Sequence, residues 1–88
     1  MESQINIKHF RNLSFLEKFL VLWDEGVYLA RFVGKSHLVN LFRLGGFFVE
    51  VYYNKKNEDI LYINTFEDTE SLDKYLDQID LEMLTIRA

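Results

Sequence analysis

The chain has 88 residues, a formal net charge of −4 and 49% hydrophobic residues. This is too apolar for a disordered chain, and the acidic balance lacks the basic footprint of a nucleic-acid binder. No cysteine is present, which excludes disulfides, thiolate catalysis and Cys-type zinc sites. We expect a single domain over residues 1–88, with residues 1–12 flexible.

The hydropathy pattern gives no sign of a membrane segment. No stretch approaches 18 uninterrupted apolar residues, and Met1–Phe10 lacks the apolar run of a signal peptide. The absence of cysteine fits a reducing compartment. We therefore expect a cytoplasmic location and no membrane partner.

A helix is predicted from about residue 14 to residue 25. Ser14 and Glu17 have the spacing of a capping box, and Gly26 suits the position after the last turn. The apolar side chains form one broad stripe made of two adjacent rows. These rows are Phe15, Phe19 and Leu22, and Leu16, Leu20 and Trp23.

Four strands rich in β-branched and aromatic residues follow the helix. They are Val27–Val33, Leu38–Leu44, Phe47–Tyr53 and Ile60–Phe66. The two residues Gly45-Gly46 separate the second strand from the third, and both can adopt positive φ. This spacing predicts a tight antiparallel hairpin.

The hairpin turn determines which side chains share a face of the sheet, because successive side chains alternate. It predicts one face, here called the first face, that is almost wholly apolar and includes Leu38, Phe42, Leu44, Phe47, Val49 and Val51. The opposite, second face carries Val39, Leu41, Arg43, Phe48, Glu50 and Tyr52.

The positions of the outer strands in this register are less determined. A four-residue turn over 34–37 would pair Val33 with Leu38 and place Tyr28 and Phe32 on the second face. A three-residue turn would exchange the two sets. The longer loop before the fourth strand leaves its register open.

A second amphipathic helix is predicted after Asp68 and Thr69, which are candidate N-caps. Its apolar positions are Leu72, Tyr75, Leu76 and Ile79, at helical spacing. Residues 80–88 could extend this helix or form a short strand. The expected fold is α+β, a four-stranded antiparallel β-meander flanked by an N-terminal and a C-terminal helix.

The runs Gly26–Arg31 and Gly46–Tyr53 resemble small uncharacterised bacterial proteins that carry a domain of unknown function. The resemblance covers residues 14–84. It implies no activity and no functional residues.

Few residues are candidates for chemistry. His9 and His37 have no partners at metal-ligand spacing, so we expect no metal site and no cofactor. Glu50 lies in the middle of a strand, with Arg43 as its diagonal neighbour on the second face. The pair is either a cross-strand ion pair worth at most about 1 kcal/mol or a charged pair in a pocket or interface. Glu50 is also the one candidate for a perturbed catalytic acid.

The leading functional expectation is a non-catalytic protein-interaction module that self-associates as a dimer through one face of the sheet. Two short helices cannot easily cover both faces, and an uncovered apolar face marks an interface. The expected interface residues are Tyr28, Phe32, Arg43, Phe48, Glu50 and Tyr52. The competing arrangement is a monomer with one helix on each face.

The alternative function is a small-molecule-binding domain with a cavity between helix and sheet, where Arg31 and Asn40 would supply polar groups. An enzyme ranks third.

Overall fold

The computed structural model describes residues 5–79, so both alternatives for residues 80–88 lie outside the described range. The strands run in the order β1-β2-β3-β4, each antiparallel to its neighbour. This confirms the predicted α+β fold with an antiparallel meander. In chain order the elements are α1 (Ile7–Arg11), α2 (Phe15–Glu25), β1 (Val27–Val33), β2 (His37–Leu44), β3 (Phe47–Asn54), β4 (Ile60–Phe66) and a 3₁₀ helix (Glu70–Tyr75).

The central hairpin of β2 and β3 has the predicted register. Leu44 pairs with Phe47 and Leu41 with Glu50. Gly45 supplies the positive backbone angle that the turn needs, with φ at 60°. The assignment of side chains to the two faces of the hairpin is therefore confirmed.

Strand β1 follows the expected register only in its second half. Val33 pairs with Leu38, as a four-residue turn predicts, but the register shifts between Tyr28 and Ala30. Leu29 is the extra residue of a β-bulge there. The bulge reverses the alternation, so Tyr28 pairs with Phe42 and lies on the first face. The prediction that Tyr28 lies on the second face is wrong for this reason.

Strand β4 has a defined place in the sheet. Asn64 pairs with Glu50 and Tyr62 with Tyr52, so both lie on the second face. A second register shift occurs between Tyr52 and Tyr53, where Leu61 is the extra residue.

The first face is covered by α1 and α2. Phe10 of α1 is fully buried, and its ring lies 5.7 Å from that of Phe47. Helix α1 was not predicted from the sequence. The Asn6 side chain accepts a hydrogen bond from the His9 backbone N–H at 2.8 Å and caps this short helix.

Helix α2 begins with the predicted capping box. The Ser14 hydroxyl accepts from the Glu17 N–H at 3.2 Å, and the Glu17 carboxylate accepts from the Ser14 N–H at 2.9 Å. Gly26 ends the helix in extended backbone with φ at −74°, so a left-handed cap is not its role. A Cβ at Gly26 would lie 2.7 Å from the Leu22 carbonyl oxygen, which explains why glycine fits there.

The apolar stripe of α2 is only partly buried. Leu22 is buried, and Phe19 and Val21 pack against the core of the first face. The row formed by Leu16, Leu20 and Trp23 faces solvent. The sequence pattern predicted one broad packed stripe, and the structure uses about half of it.

The second face is covered by the C-terminal segment, defined here as residues 68–79. Its core is a 3₁₀ helix (Glu70–Tyr75) instead of the predicted α-helix. Residues three apart align in a 3₁₀ helix, so Leu72 and Tyr75 both face the sheet while Leu76 is exposed. These side chains pack with Val39, Leu41 and Phe48. The sheet face that was expected to be bare is therefore covered in part, and Tyr62 on the same face stays 53% exposed.

Candidate functional site

The most unusual side chain in the core is Glu50. It lies at the centre of β3 on the second face, directly opposite Leu41 and Asn64. It is 3% exposed and is the one buried charged residue among residues 5–79. A buried carboxylate costs several kcal/mol unless partners compensate for lost water, so its neighbours are informative.

Three neutral side chains donate hydrogen bonds to the Glu50 carboxylate. The Tyr75 hydroxyl donates to Oε2 at 2.6 Å, and the Asn64 amide donates to Oε1 at 2.9 Å. The Tyr52 hydroxyl makes a longer contact with Oε1 at 3.4 Å. These donors come from β4, β3 and the 3₁₀ helix, so the carboxylate joins the C-terminal segment to the sheet.

Lys74 supplies the opposite charge. Its Nζ lies 3.2 Å from Glu50 Oε2 and 3.5 Å from the Tyr52 hydroxyl oxygen. The same ammonium lies 5.5 Å from the ring centroid of Phe32, 5.8 Å from that of Tyr52 and 5.4 Å from that of Tyr75. These distances are within the range of cation–π attraction. We call Glu50, Phe32, Tyr52 and Tyr75 the Glu50 cage.

The cage is rigid on one side and open on the other. The Tyr52 ring stacks on that of Tyr62 at 4.3 Å with an interplanar angle of 13°. Tyr75 is fully buried, whereas the Lys74 side chain remains 38% exposed. Solvent therefore reaches the cage along the side chain of Lys74.

The two tyrosines of the cage are held in their neutral form. Burial raises the pKa of Tyr75 well above its ordinary value, and its hydrogen bond to Glu50 adds to the shift. Burial also raises the pKa of Tyr52, with a further contribution from the charge of Glu50. Both hydroxyls therefore remain donors, which suits a site that holds a carboxylate and a cation.

The structure separates the residues that the sequence grouped as an interface. Phe32, Glu50 and Tyr52 converge in the cage. Phe48 is buried and stacks on Phe66 at 5.3 Å, and Tyr28 lies on the opposite face. Buried Phe48 and Glu50 are not part of the surface.

Arg43 does not pair with Glu50, contrary to the expected diagonal pair. It lies beside the hairpin turn, where its Nη1 donates to the Gly45 carbonyl at 3.4 Å. Its buried Nε has no acceptor among the described residues. Glu50 pairs with Lys74 because the C-terminal segment brings that ammonium onto the second face.

Sequence reasoning did not identify Lys74, Tyr75 and Asn64 as members of the site. Tyr75 was assigned to an apolar helix row, although a buried tyrosine hydroxyl requires a partner. A lone mid-strand glutamate in the same chain was the available signal for that partner. The contribution of Lys74 depends on tertiary packing, which no local pattern encodes.

The remaining polar candidates, His37 and Arg43, lie near opposite ends of β2. His37 contacts the ring of Tyr52 at 5.5 Å between centroids, and Arg43 lies at the hairpin turn. Within residues 5–79, no group of three or more His, Asp or Glu side chains is placed to hold a metal ion. The three side chains that donate hydrogen bonds to the Glu50 carboxylate are neutral and do not cancel a negative charge. The cage is therefore suited to binding a cation.

A cavity of about 340 Å³ lies at the end of the sheet between two turns. It is lined by Lys35, Ser36, Asn54, Lys55 and Lys56. The Lys55 ammonium donates to the Gly34 carbonyl at 3.2 Å, which ties the two turns together.

Several exposed apolar side chains lie together on α2. The exposed row consists of Leu16, Leu20 and Trp23, which are 67%, 59% and 92% exposed. Phe15 adjoins it and is also exposed. Glu17 and Asp24 flank the row on the side facing away from the sheet, as their helical positions require.

Comparison with known proteins adds no relative, because no family model, curated protein or solved structure matches the chain. In the described range, no helix is long and apolar enough to cross a membrane. The exposed row and the Glu50 cage are therefore the features that indicate a function.

Proposed function

We propose that the protein is a non-catalytic interaction module that self-associates through the exposed row of α2. The observation that supports this is the exposure of Trp23, at 92%, next to Leu16 and Leu20 on one side of a helix. Trp is the residue type most enriched at the energetic centres of protein interfaces. A cytoplasmic location is part of the proposal and rests on the absence of cysteine.

The available area supports a second copy of the chain as the occupant. The exposed row and Phe15 together present on the order of 500 Å² of apolar surface. A stable interface buries roughly 800 Å² on each partner, so a polar rim must supply the rest. Tyr28, which lies on the same sheet face that α1 and α2 cover, is also 53% exposed.

The proposed interface differs from the one expected from sequence. The expected dimer used the second face of the sheet, which the C-terminal segment covers. The exposed row lies on α2. A two-fold axis through the row brings the row of one copy against the same row of the other copy. The proposed dimer therefore forms through the exposed row of α2 and not through the second face of the sheet.

The charges around the exposed row predict how the dimer responds to salt. Glu17, Asp24 and Glu25 outnumber Lys18 along α2, so two copies bring like charges together. Screening weakens this repulsion. Association should therefore strengthen as salt is added, whereas a basic partner would bind less tightly under the same conditions.

Sedimentation velocity across micromolar concentrations tests the proposal. We expect a dimer for the unmodified chain and at least about 30-fold weaker association for Leu20→Glu, since a central interface residue contributes about 2 kcal/mol or more. Leu61→Glu is the matched control, because Leu61 is 50% exposed and lies on β4. A monomer at all concentrations, or equal losses in both variants, would contradict the proposal.

A further inference from the structure

The Glu50 cage has the composition of a cation-binding site. A carboxylate and three aromatic rings surround one ammonium group, at the distances given above. Proteins use aromatic cages of this kind to recognise cationic ligands. We propose that the cage is a binding site for a primary alkylammonium group, and that Lys74 is its built-in occupant.

The hydrogen bonds that hold the Glu50 carboxylate do not depend on the Lys74 ammonium. Asn64, Tyr52 and Tyr75 hold the Glu50 carboxylate through their own hydrogen bonds. The ring of Tyr52 is fixed by its stacking on Tyr62. We therefore expect an empty cage to keep its lining, so that an entering cation can replace the ion pair that Lys74 makes with Glu50.

The geometry favours a primary ammonium over a quaternary one. The ammonium nitrogen has two oxygen acceptors within reach, Glu50 Oε2 at 3.2 Å and the Tyr52 hydroxyl at 3.5 Å. A primary ammonium can donate to both, while a quaternary ammonium has no N–H. The rings alone would accept either.

Exchange requires a small movement. The Lys74 side chain is 38% exposed, whereas Glu50 is buried and Tyr75 is fully buried. Because the Lys74 side chain is partly exposed, we expect a change in its rotamer to open the cage. Because Lys74 is tethered beside the site, it competes at a high effective concentration. The apparent ligand affinity of the unmodified chain is therefore the intrinsic affinity multiplied by the fraction of time for which Lys74 leaves the cage free.

Removal of Lys74 tests the proposal directly. In Lys74→Ala we expect n-butylammonium, which reproduces the end of a lysine side chain, to raise the melting temperature in a saturable manner. Tetramethylammonium and sodium chloride at equal ionic strength should give clearly smaller shifts. The double variant Glu50→Gln with Lys74→Ala should lose the response. An equal response to tetramethylammonium, or an undiminished response in the double variant, would overturn the proposal.

The unmodified chain provides a second measurement that does not depend on the folding of a variant. The side-chain amide signals of Asn64 should move saturably in NMR titrations with n-butylammonium, at a midpoint about tenfold or more above that of Lys74→Ala. If Lys74→Ala does not fold, the unmodified chain decides alone. The site is then rejected if the Asn64 signals do not move up to the highest usable amine concentration.

Two probes distinguish the possible sources of the ammonium group. N-acetyl-lysine methylamide represents a lysine side chain of another protein, and n-butylammonium represents a free amine. Tighter binding of the first in Lys74→Ala would assign a lysine of a partner protein to the cage. Tighter binding of the second would assign a small alkylamine.

Discussion

The two faces of the sheet are covered by segments that differ in chemistry. On the first face, α1 and α2 bury apolar side chains such as Phe10 and Leu22. On the second face, the C-terminal segment buries Leu72 beside a carboxylate with its donors and an ammonium. The apolar cover needs only burial to be stable, whereas the polar cover depends on each partner of Glu50 being in place. The second cover is therefore the one that a ligand or a substitution can alter specifically.

The largest expected effect concerns the first cover. Phe10→Ala should lower the free energy of unfolding by about 3–5 kcal/mol, because it removes a fully buried ring and leaves a cavity. Urea unfolding followed by circular dichroism measures the change. Phe15→Ala is the control and should cost less than half as much, since Phe15 is 52% exposed. Equal losses would mean that α1 does not pack as described.

The second cover should respond to the loss of a single hydroxyl. Tyr75→Phe keeps the ring and removes the donor to Glu50, so we expect a loss of about 1.5–3 kcal/mol, typical of a hydrogen bond to a charged group. Tyr28→Phe is the matched control, because its ring is 53% exposed, and it should change stability by less than about 0.5 kcal/mol. An unchanged urea midpoint for Tyr75→Phe would show that the hydroxyl does not hold the segment.

Local sequence signals predict the central hairpin and the start of α2, but they do not predict the register of β1. The Gly45-Gly46 turn defines the β2–β3 register, and Ser14 with Glu17 defines the start of α2, because both signals are local. The bulge at Leu29 has no local signal, and it reverses the face of Tyr28.

The cage itself could be predicted only in part. Glu50 is recognisable as an acid inside an apolar strand, but all its partners except Tyr52 come from distant parts of the chain. Lys74 and Tyr75 are 24 and 25 positions away from it in sequence. The helical spacing of Leu72 and Tyr75 also suits a 3₁₀ helix, so periodicity did not show which of the two helix types forms.

High pH offers a third comparison. The pKa of Tyr75 is raised in the folded chain, so the unfolded chain loses this proton first, near the ordinary tyrosine value of about 10. The folded state then binds more protons, and stability falls as pH rises above that value. The loss from Tyr75 should be about 1 kcal/mol per pH unit. Urea unfolding of the unmodified chain and of Tyr75→Phe isolates this contribution, because the variant should show a shallower decline. Parallel declines would contradict the raised pKa.

The smallest expected effect concerns the edges of the sheet, where one residue from each cover reaches an outer strand. On β4, Arg11 donates to the Thr65 hydroxyl at 2.6 Å and to the Thr65 backbone carbonyl at 3.3 Å. Gln78 accepts from the Arg31 N–H at 3.0 Å and donates to the Arg31 carbonyl on β1. Because an edge strand leaves such groups unpaired, both contacts shield the backbone from another chain.

Gln78→Ala should therefore act locally on β1. We expect the Arg31 amide to exchange with solvent about fivefold faster, since a lost hydrogen bond of this kind is worth about 1 kcal/mol. Exchange of the Val51 amide, on a central strand, should change much less and serves as the internal reference. Arg11→Ala should leave Arg31 unaffected, because its contacts are with β4 at the opposite edge. If Gln78→Ala accelerated both amides equally, the C-terminal segment would be supporting the whole sheet, and the separation of the two covers would not hold.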